Sequence, residues 1–236
     1  MCTSEGRLLH RYRDSHAAIL ANVDDYAFLI WGLIELYEAT FGVRYLRSAL
    51  DLNEDLIKHF WDNEVGGFYL TPDDGEDLLV RQKVIYDGAI PSGNSVAMLN
   101  LLRLGHITGN TDFEEKAFKI GRAFSENVKE SPAAHTQLMI AVDFAVGPTY
   151  RIVIAGNSQA KDTRDMVRAL RTHYLPNMVV ILNPTEQKSP AIHHIAEFTK
   201  SQLSINNKAT AYVCVNYTCK KPTTDIKEML EQLSMK

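Results

Sequence analysis

Helices of two kinds alternate along the first two thirds of the chain, and this alternation most constrains how the sequence can fold. Apolar residues occur on nearly all sides of predicted helices over 24–41 and 92–104, and again in a helix that follows Ser131. The intervening helices, 43–61 and 111–129, are apolar on one side only. A helix that is apolar all round is buried on most sides, whereas an amphipathic helix lies at the surface. The order therefore predicts an inner and an outer layer of antiparallel helices.

An internal repeat agrees with this layering. Leu36 and Thr40 have counterparts in Leu104 and Thr108, each 68 residues further along, and the same offset relates Tyr45 to Phe113 and Ala49 to Ala117. Repetition of this kind indicates stacked copies of one unit. We expect a mainly α fold, a partial α/α toroid of helical hairpins, with a solenoid of helical pairs as the alternative. The chain supplies too few hairpins to close a toroid. We therefore expect that it is the C-terminal part of a longer polypeptide, with completion by partner subunits as the alternative.

The pattern changes near Gly147, after which short apolar runs alternate with helical segments. A strand, a helix and a second strand at close spacing predict a parallel βαβ unit. We therefore divide the chain into a helical region, 1–148, and a small α/β region, 149–236. The predicted elements of the second region are strands over 150–155, 177–182 and 209–215 and helices over 162–174, 189–203 and 225–233.

Charge and composition exclude several classes of protein. The net charge is −4 and no basic run with interleaved aromatic residues occurs, which argues against nucleic-acid binding. No apolar stretch is long enough to span a bilayer, and residues 1–10 lack the apolar core of a signal peptide, so we expect a cytoplasmic protein. Cys214 and Cys219 are separated by four residues and read most simply as two ordinary thiols, with redox chemistry or metal binding as the alternative.

A candidate site lies where the inner helices begin. The connection 62–90 is unusually long, and long connections in compact domains are often functional. Helix N-termini present free N–H groups and positive dipole ends. Such a mouth suits a polar, sugar-like ligand, and two carboxylates, Asp25 and Asp87, could serve as acid and base. The candidate ligand-binding residues are Asp24, Tyr26, Trp61, Tyr69, Ser92, Asn94 and His135.

A structural interpretation of the same residues stays open. Asp24, Asp25, Ser92 and Asn94 are all good helix N-caps, and His135 is equally suited to capping or to the core. No glycine-rich phosphate motif and no zinc-ligand spacing is present. We therefore predict no cofactor and no metal site.

Six ordered motifs resemble one known family. They are Asp24 to Ala39 (DDYAFLIWGLIELYEA), Phe60-Trp61-Asp62, Gly66 to Tyr69 (GGFY), Asp87 to Ser95 (DGAIPSGNS), Asn100 to Leu104 (NLLRL), and Ala160 to Thr163 (AKDT), followed by Ala211 to Cys214 (AYVC) with Cys219 and Pro222. Together they resemble the C-terminal portion of the spermatogenesis-associated, thioredoxin-like-domain proteins.

The resemblance implies both an architecture and a set of candidate residues. In that family a thioredoxin-like domain precedes a toroid similar to that of the N-acylglucosamine 2-epimerase and six-hairpin glycosidase group. An enzyme would then be an epimerase or isomerase, or a glycoside hydrolase, and the family pattern points to Asp24, Asp25, Tyr26, Asp87, Ser92 and Asn94. The alternative is a non-catalytic interaction or support module. Expected partners are a sugar-like ligand, a thioredoxin-like domain, the missing toroid half, or a second copy in a homo-oligomer.

Overall fold

The computed structural model describes residues 2–3 and 6–233 and has a mixed α and β architecture. It is about 49% helical and 17% strand. A hairpin of β1 (Leu9–Arg13) and β2 (His16–Leu20) precedes the helical region. The helices that follow are α1 (Val23–Thr40), α2 (Val43–Phe60), α3 (Gly93–Thr108), α4 (Thr111–Ala123), α5 (Ser125–Glu130) and α6 (Thr136–Val146). The rest of the chain comprises β3 (Tyr150–Gly156), α7 (Lys161–Arg171), β4 (Met178–Pro184), β5 (Thr210–Val215), β6 (Thr218–Cys219) and α8 (Ile226–Leu233).

The prediction of a mainly α, partial α/α toroid is wrong, because a sheet shares the core of the helices. Val153 of β3 and Val179 and Ile181 of β4 pack in the same cluster as Ile30 of α1 and Leu104 of α3. The other face of the sheet packs against α7 and α8 in a second cluster. The sequence pattern identified the helices but could not reveal that the sheet would lie against them.

The predicted repeat has a structural counterpart at the ends of α1 and α3. The Thr40 hydroxyl donates to the carbonyl of Leu36 at 2.6 Å, and the Thr108 hydroxyl donates to that of Leu104 at 2.7 Å. Each hydroxyl also accepts from the backbone N–H two residues further on, at 3.1 Å. The next residues, Phe41 and Gly109, are both left-handed. The two helical hairpins therefore turn in the same way.

The sheet has the strand order β4-β3-β5-β6. Strands β3 and β4 are parallel, which confirms the predicted βαβ unit, whereas β5 runs antiparallel to β3. The predicted helix over 189–203 is instead two short 3-10 turns, Ala191–His194 and Glu197–Ser201. The Asn183 side chain donates to the carbonyls of Thr199 and Gln202 at 2.9 and 2.8 Å, and these tertiary bonds override the helical pattern.

The β1–β2 hairpin was not predicted. Most of its residues are exposed or half-buried, so it lacks the apolar alternation that marks a strand. Its turn residues, Asp14 and Ser15, both adopt positive φ angles, as a tight hairpin requires. Within the described ranges, none of the helices has the length and apolar character needed to cross a membrane.

Candidate functional site

The segment 62–90 joins the N-terminal ends of α1, α3 and α6. The N–H of Val23 donates to the carbonyl of Leu70 at 3.0 Å, and the N–H of Asp87 donates to that of Ala134 at 2.9 Å. Gly66 and Gly67 have φ angles of 87° and 82°, which favour glycine at this turn. Three helices therefore begin beneath one connecting segment, on the surface where the candidate site was predicted.

Asp87 links two of these helices. Its Oδ1 accepts from the N–H of Ser92 at 2.9 Å, and its Oδ2 accepts from the N–H of Leu138 at 3.0 Å. Ser92 is the N-cap of α3 and accepts from the N–H of Ser95. Asp87 is buried, and both of its oxygens bind backbone amides, so in this arrangement the carboxylate holds α3 and α6 together.

The Asn94 side chain holds the connecting segment 62–90 in place through hydrogen bonds to its backbone. Its Oδ1 accepts from the N–H of Phe68 at 2.7 Å, and its Nδ2 donates to the carbonyls of Phe68 and Val84, each at 2.9 Å. The side chain is 1% exposed. One buried amide thus satisfies three backbone groups of a segment that has little regular structure of its own.

Asp24 and Asp25 occupy the first turn of α1 but differ in their contacts. Asp25 accepts from the N–H of Asn22, the N-cap residue, at 2.8 Å and also contacts His10 Nδ1 at 2.8 Å. The predicted N-cap at Asp24 or Asp25 is therefore displaced to Asn22. Asp24 accepts from the N–H of Gly93; burial raises the pKa of its carboxyl, the Gly93 bond lowers it, and the charge of Asp25 raises it, with a net increase.

Tyr26 lies beneath this surface. It is fully buried, and its hydroxyl accepts from the N–H of Leu8 at 3.1 Å and donates to Asp55. His135 is also buried, and its Nδ1 contacts the carbonyl of Ser131 at 2.8 Å. Both side chains thus have partners within the fold.

The remaining aromatic candidates are half-buried and lie beside cations. Trp61 packs edge-on against Phe68, with ring centroids 5.0 Å apart, and the Lys116 ammonium lies 4.8 Å from its centroid. The Tyr69 hydroxyl donates to Asp62 at 3.1 Å, and the Arg81 guanidinium lies 4.3 Å from the Tyr69 ring. The Lys83 ammonium lies 5.1 Å from the centroid of the Tyr69 ring as well, so both aromatic side chains already have cationic neighbours within the fold.

A histidine and two carboxylates nearby have the spacing of metal ligands. One ligand atom each of His59, Asp73 and Asp74 lies within 4.8 Å of the others. The Arg7 guanidinium, however, pairs with Asp74 and with Asp55. Since a guanidinium already supplies positive charge here, the arrangement is that of an ion-pair network.

A second polar cluster, which the sequence did not indicate, joins the helical region to the sheet. The rings of His106 and Tyr217 stack with centroids 4.9 Å apart, and the Tyr217 hydroxyl lies 3.0 Å from His106 Nε2 and donates to Glu114. Because the hydroxyl proton goes to Glu114, a neutral His106 donates from Nε2 to the tyrosine oxygen. A cavity of about 170 Å³ lies beside these side chains.

This cluster has perturbed protonation equilibria. Burial and the charge of Arg151 lower the pKa of His106 to about 4. Burial raises the pKa of Tyr217, as do its bond to Glu114 and the charge of that carboxylate. Perturbed groups beside a cavity mark a candidate functional site, although ion-pair networks produce the same signature. The sequence could at most have indicated a turn at 216–217. No local pattern could reveal that this turn contacts α3.

The predicted resemblance to the spermatogenesis-associated proteins is confirmed by homologues of that name. The chain is 37% identical to human spermatogenesis-associated protein 20 over 212 residues, which is 89% of this chain and 27% of the relative. The rat protein of the same name is 36% identical over the same share of each chain. An uncharacterised protein of Caenorhabditis elegans is 29% identical over 90% of this chain and 28% of its own length. No family model matches the chain. The chain thus spans about a quarter of the length of these curated relatives.

Proposed function

This chain is a homologue of spermatogenesis-associated protein 20 and spans 27% of the length of the human protein. We propose that it is a non-catalytic interaction module. Its outer face on α1 would bind a helix that lies outside the matched segment in the longer relatives. We define this outer face by Leu29, Gly32, Leu33 and Leu36. The proposal rests on one observation, which is that α1 leaves apolar side chains exposed where its repeat equivalent, α3, is covered.

The exposed stripe lies on the side of α1 opposite to α3. Leu29 is 41% exposed and Leu36 is 45% exposed, and a side chain at Gly32 would find no atom within 4 Å. Residues three and four apart share one helical face, so these positions form a continuous strip. A strip of exposed apolar side chains along one helix is a natural surface for association.

The repeat indicates what covers the strip. With the offset of 68 residues, Leu29, Gly32 and Leu36 correspond to Ala97, Asn100 and Leu104 of α3. These three residues are at most 1% exposed. Asn100 donates from Nδ2 to the carbonyl of Ala27 at 2.8 Å, so α1 is what lies over this side of α3. A helix placed against α1 as α1 is placed against α3 would cover the strip in the same way.

The occupant that we propose is a helix from outside the matched segment. The relatives extend well beyond that segment, since this chain spans only 27% of the human protein. The segment of the polypeptide outside the match is therefore the occupant to which we commit. A second copy of this chain is the competing occupant that the experiment distinguishes.

The experiment measures binding between this chain and the part of human spermatogenesis-associated protein 20 that lies outside the matched segment, which we call the remainder. The two are co-expressed as separate polypeptides. The double variant Leu29→Lys/Leu36→Lys places two charges on the strip. Because both leucines are already more than half buried, covering the remaining area contributes about 1–3 kcal/mol, and the two buried charges add to the loss, so the variant should bind at least about tenfold more weakly. Leu203→Lys is the matched control, because Leu203 is 61% exposed and lies outside α1. Equal binding by both variants, or loss only of self-association, would contradict the proposal.

A second candidate function is binding or processing of a sugar-like ligand at the mouth, and Asp24 is the observation that favours it. Burial and the charge of Asp25 raise the pKa of its carboxyl, although the bond from the Gly93 N–H lowers it, and a raised pKa suits a carboxyl that acts as a general acid. Asp25 and Asp87 remain the predicted catalytic pair, although both hold backbone amides. This candidate needs an open cleft beside Asp24.

Thermal unfolding against a panel of sugars and sugar phosphates tests this candidate. A ligand at 100 times its dissociation constant adds about 2.7 kcal/mol of stability. Asp24→Asn should abolish the effect while it retains an acceptor for the Gly93 N–H, and Asp51→Asn on the exposed side of α2 is the control. A panel without a single raised midpoint would remove this candidate and leave the docking function standing.

A further inference from the structure

A disulfide bond closes the hairpin that carries Tyr217. Cys214 of β5 and Cys219 of β6 face each other in the antiparallel register and are joined through their sulfurs. The reading of these residues as two ordinary thiols is therefore wrong. Cys214 is 2% exposed, whereas Cys219 is exposed at the surface. Only one sulfur of the bond is thus open to an incoming reagent.

The hairpin tip lies against the helical region. Asn216 exchanges hydrogen bonds with the backbone of Thr149 at 3.0 Å, and Tyr217 stacks on His106. Asn216 and Tyr217 have φ angles of 46° and 67°, a left-handed conformation that is uncommon for tyrosine. The short covalent loop restricts the tip to this turn. Besides the disulfide, the tip is held by the Asn216–Thr149 hydrogen bonds and by the contacts of Tyr217 with His106 and Glu114.

We propose that the Cys214–Cys219 bond is a thiol–disulfide exchange site that accepts electrons from an external dithiol, and that its opening releases Tyr217 from His106. This inference is independent of the docking face on α1. It assigns a redox role to a bond whose two ends differ in access and whose loop positions an aromatic side chain between α3 and α4.

Arg151 completes the site. It lies directly opposite Cys214 in the β3–β5 register, so both side chains project from the same face of the sheet. Its Nε is buried and lacks a hydrogen-bond partner among the described residues. An incoming thiolate reaches the exposed Cys219, so Cys214 is the sulfur that leaves. The positive charge of Arg151 on this face of the sheet would stabilise the negative charge that develops on the departing sulfur.

The exchange balances as two successive displacements. A thiolate of the external dithiol attacks Sγ of Cys219, the S–S bond breaks, and Cys214 leaves as a thiolate and takes up a proton. The second thiol of the dithiol, as a thiolate, then attacks the external sulfur of the mixed disulfide and expels Cys219, which is also protonated. The dithiol becomes a disulfide by loss of two electrons, and the protein gains two thiols.

The test follows the intact chain, with Cys2→Ser to remove the free exposed thiol, through reduction by dithiothreitol under native conditions. Alkylation and mass measurement count the thiols, and ring NMR signals of His106 report its environment. We expect two new thiols in a folded protein and a His106 signal that titrates closer to its ordinary pKa of 6.5. Arg151→Met should slow the exchange about three- to tenfold, and Arg151→Lys should restore most of the rate.

Two results would overturn the proposal. One is a bond that is reduced only after the protein unfolds, which would make it a purely structural crosslink. The other is reduction in the folded protein with no change in the His106 signals, which would separate the bond from the position of Tyr217. Cys219→Ser provides an independent check, since it opens the loop permanently and should give the His106 titration of the reduced protein.

Discussion

The side-chain amide of Asn100 donates to the backbone carbonyl of Ala27 at 2.8 Å, and this bond joins the middle of α3 to the second turn of α1. A polar residue can lie at that buried position because α1 covers it and offers an acceptor. The equivalent position on α1 is Gly32, which has open space around it. The two helices are thus repeat equivalents with different surroundings, and this difference is the basis of the proposed docking face.

Replacement of Asn94 by alanine should destabilise the fold and free the segment 66–85. The variant loses three hydrogen bonds to buried backbone groups, and the cost should be about 3 kcal/mol in the free energy of unfolding. Denaturant unfolding measures the loss, and hydrogen exchange locates it. Asn53→Ala is the matched control, because Asn53 is equally buried but its side-chain atoms have no partner within the described part of the chain. An equal loss in both variants would mean that Asn94 contributes only its volume.

The predicted helix over 111–129 is divided at Phe124 into α4 and α5. The sequence predicted α1, α2 and α3 better, because each has a clear helical pattern of apolar residues, and it identified Ser92 as the cap of α3. It could not predict that Val153 and Ile181 would pack against those helices, because an apolar strand carries no information about what it faces. The same limit applies to His106 and Tyr217, which are 111 residues apart and meet only in the folded chain.

The catalytic and ligand-binding roles of the candidate residues stay predictions, whereas the structure shows where these residues lie. The polar residues do gather where α1, α3 and α6 begin, because helix N-termini attract side chains that accept hydrogen bonds. Asp87 and Asn94, however, direct those bonds at backbone amides. Residue type and spacing cannot separate a carboxylate that binds a ligand from one that joins two helices.

Asp87→Ala should lower the free energy of unfolding by about 2–4 kcal/mol, because two buried amides, those of Ser92 and Leu138, lose their acceptor. Asp25→Ala should cost about 1 kcal/mol, as expected for a contact at a helix N-terminus. Chemical denaturation of both variants provides the comparison. A fully stable Asp87→Ala protein that has lost affinity for a sugar would instead support a catalytic or binding role.

Stability should fall as the pH is lowered from about 6.5 to about 4, in part because of His106. Its folded pKa is about 4, whereas its ordinary value is 6.5. Between these values the unfolded chain binds more protons than the folded one, so acid favours unfolding. The full contribution is about 3 kcal/mol, present above pH 6.5 and lost by pH 4. The free energy of unfolding is measured for the wild type and for His106→Gln across this pH range. The carboxylates titrate in both proteins, so the difference between the two curves isolates the contribution of His106. Parallel curves would show that His106 is accessible to protons in the folded state.

The most direct test of the docking face places a photo-reactive amino acid at position 32, where a side chain meets no atom within 4 Å. The chain is mixed with the remainder of spermatogenesis-associated protein 20, irradiated, and the crosslinked peptides are identified by mass spectrometry. We predict a crosslink to one helix of the remainder, absent when the reactive group is moved to position 203. Crosslinks between position 32 and a second copy of this chain, or equal labelling from both positions, would contradict the account.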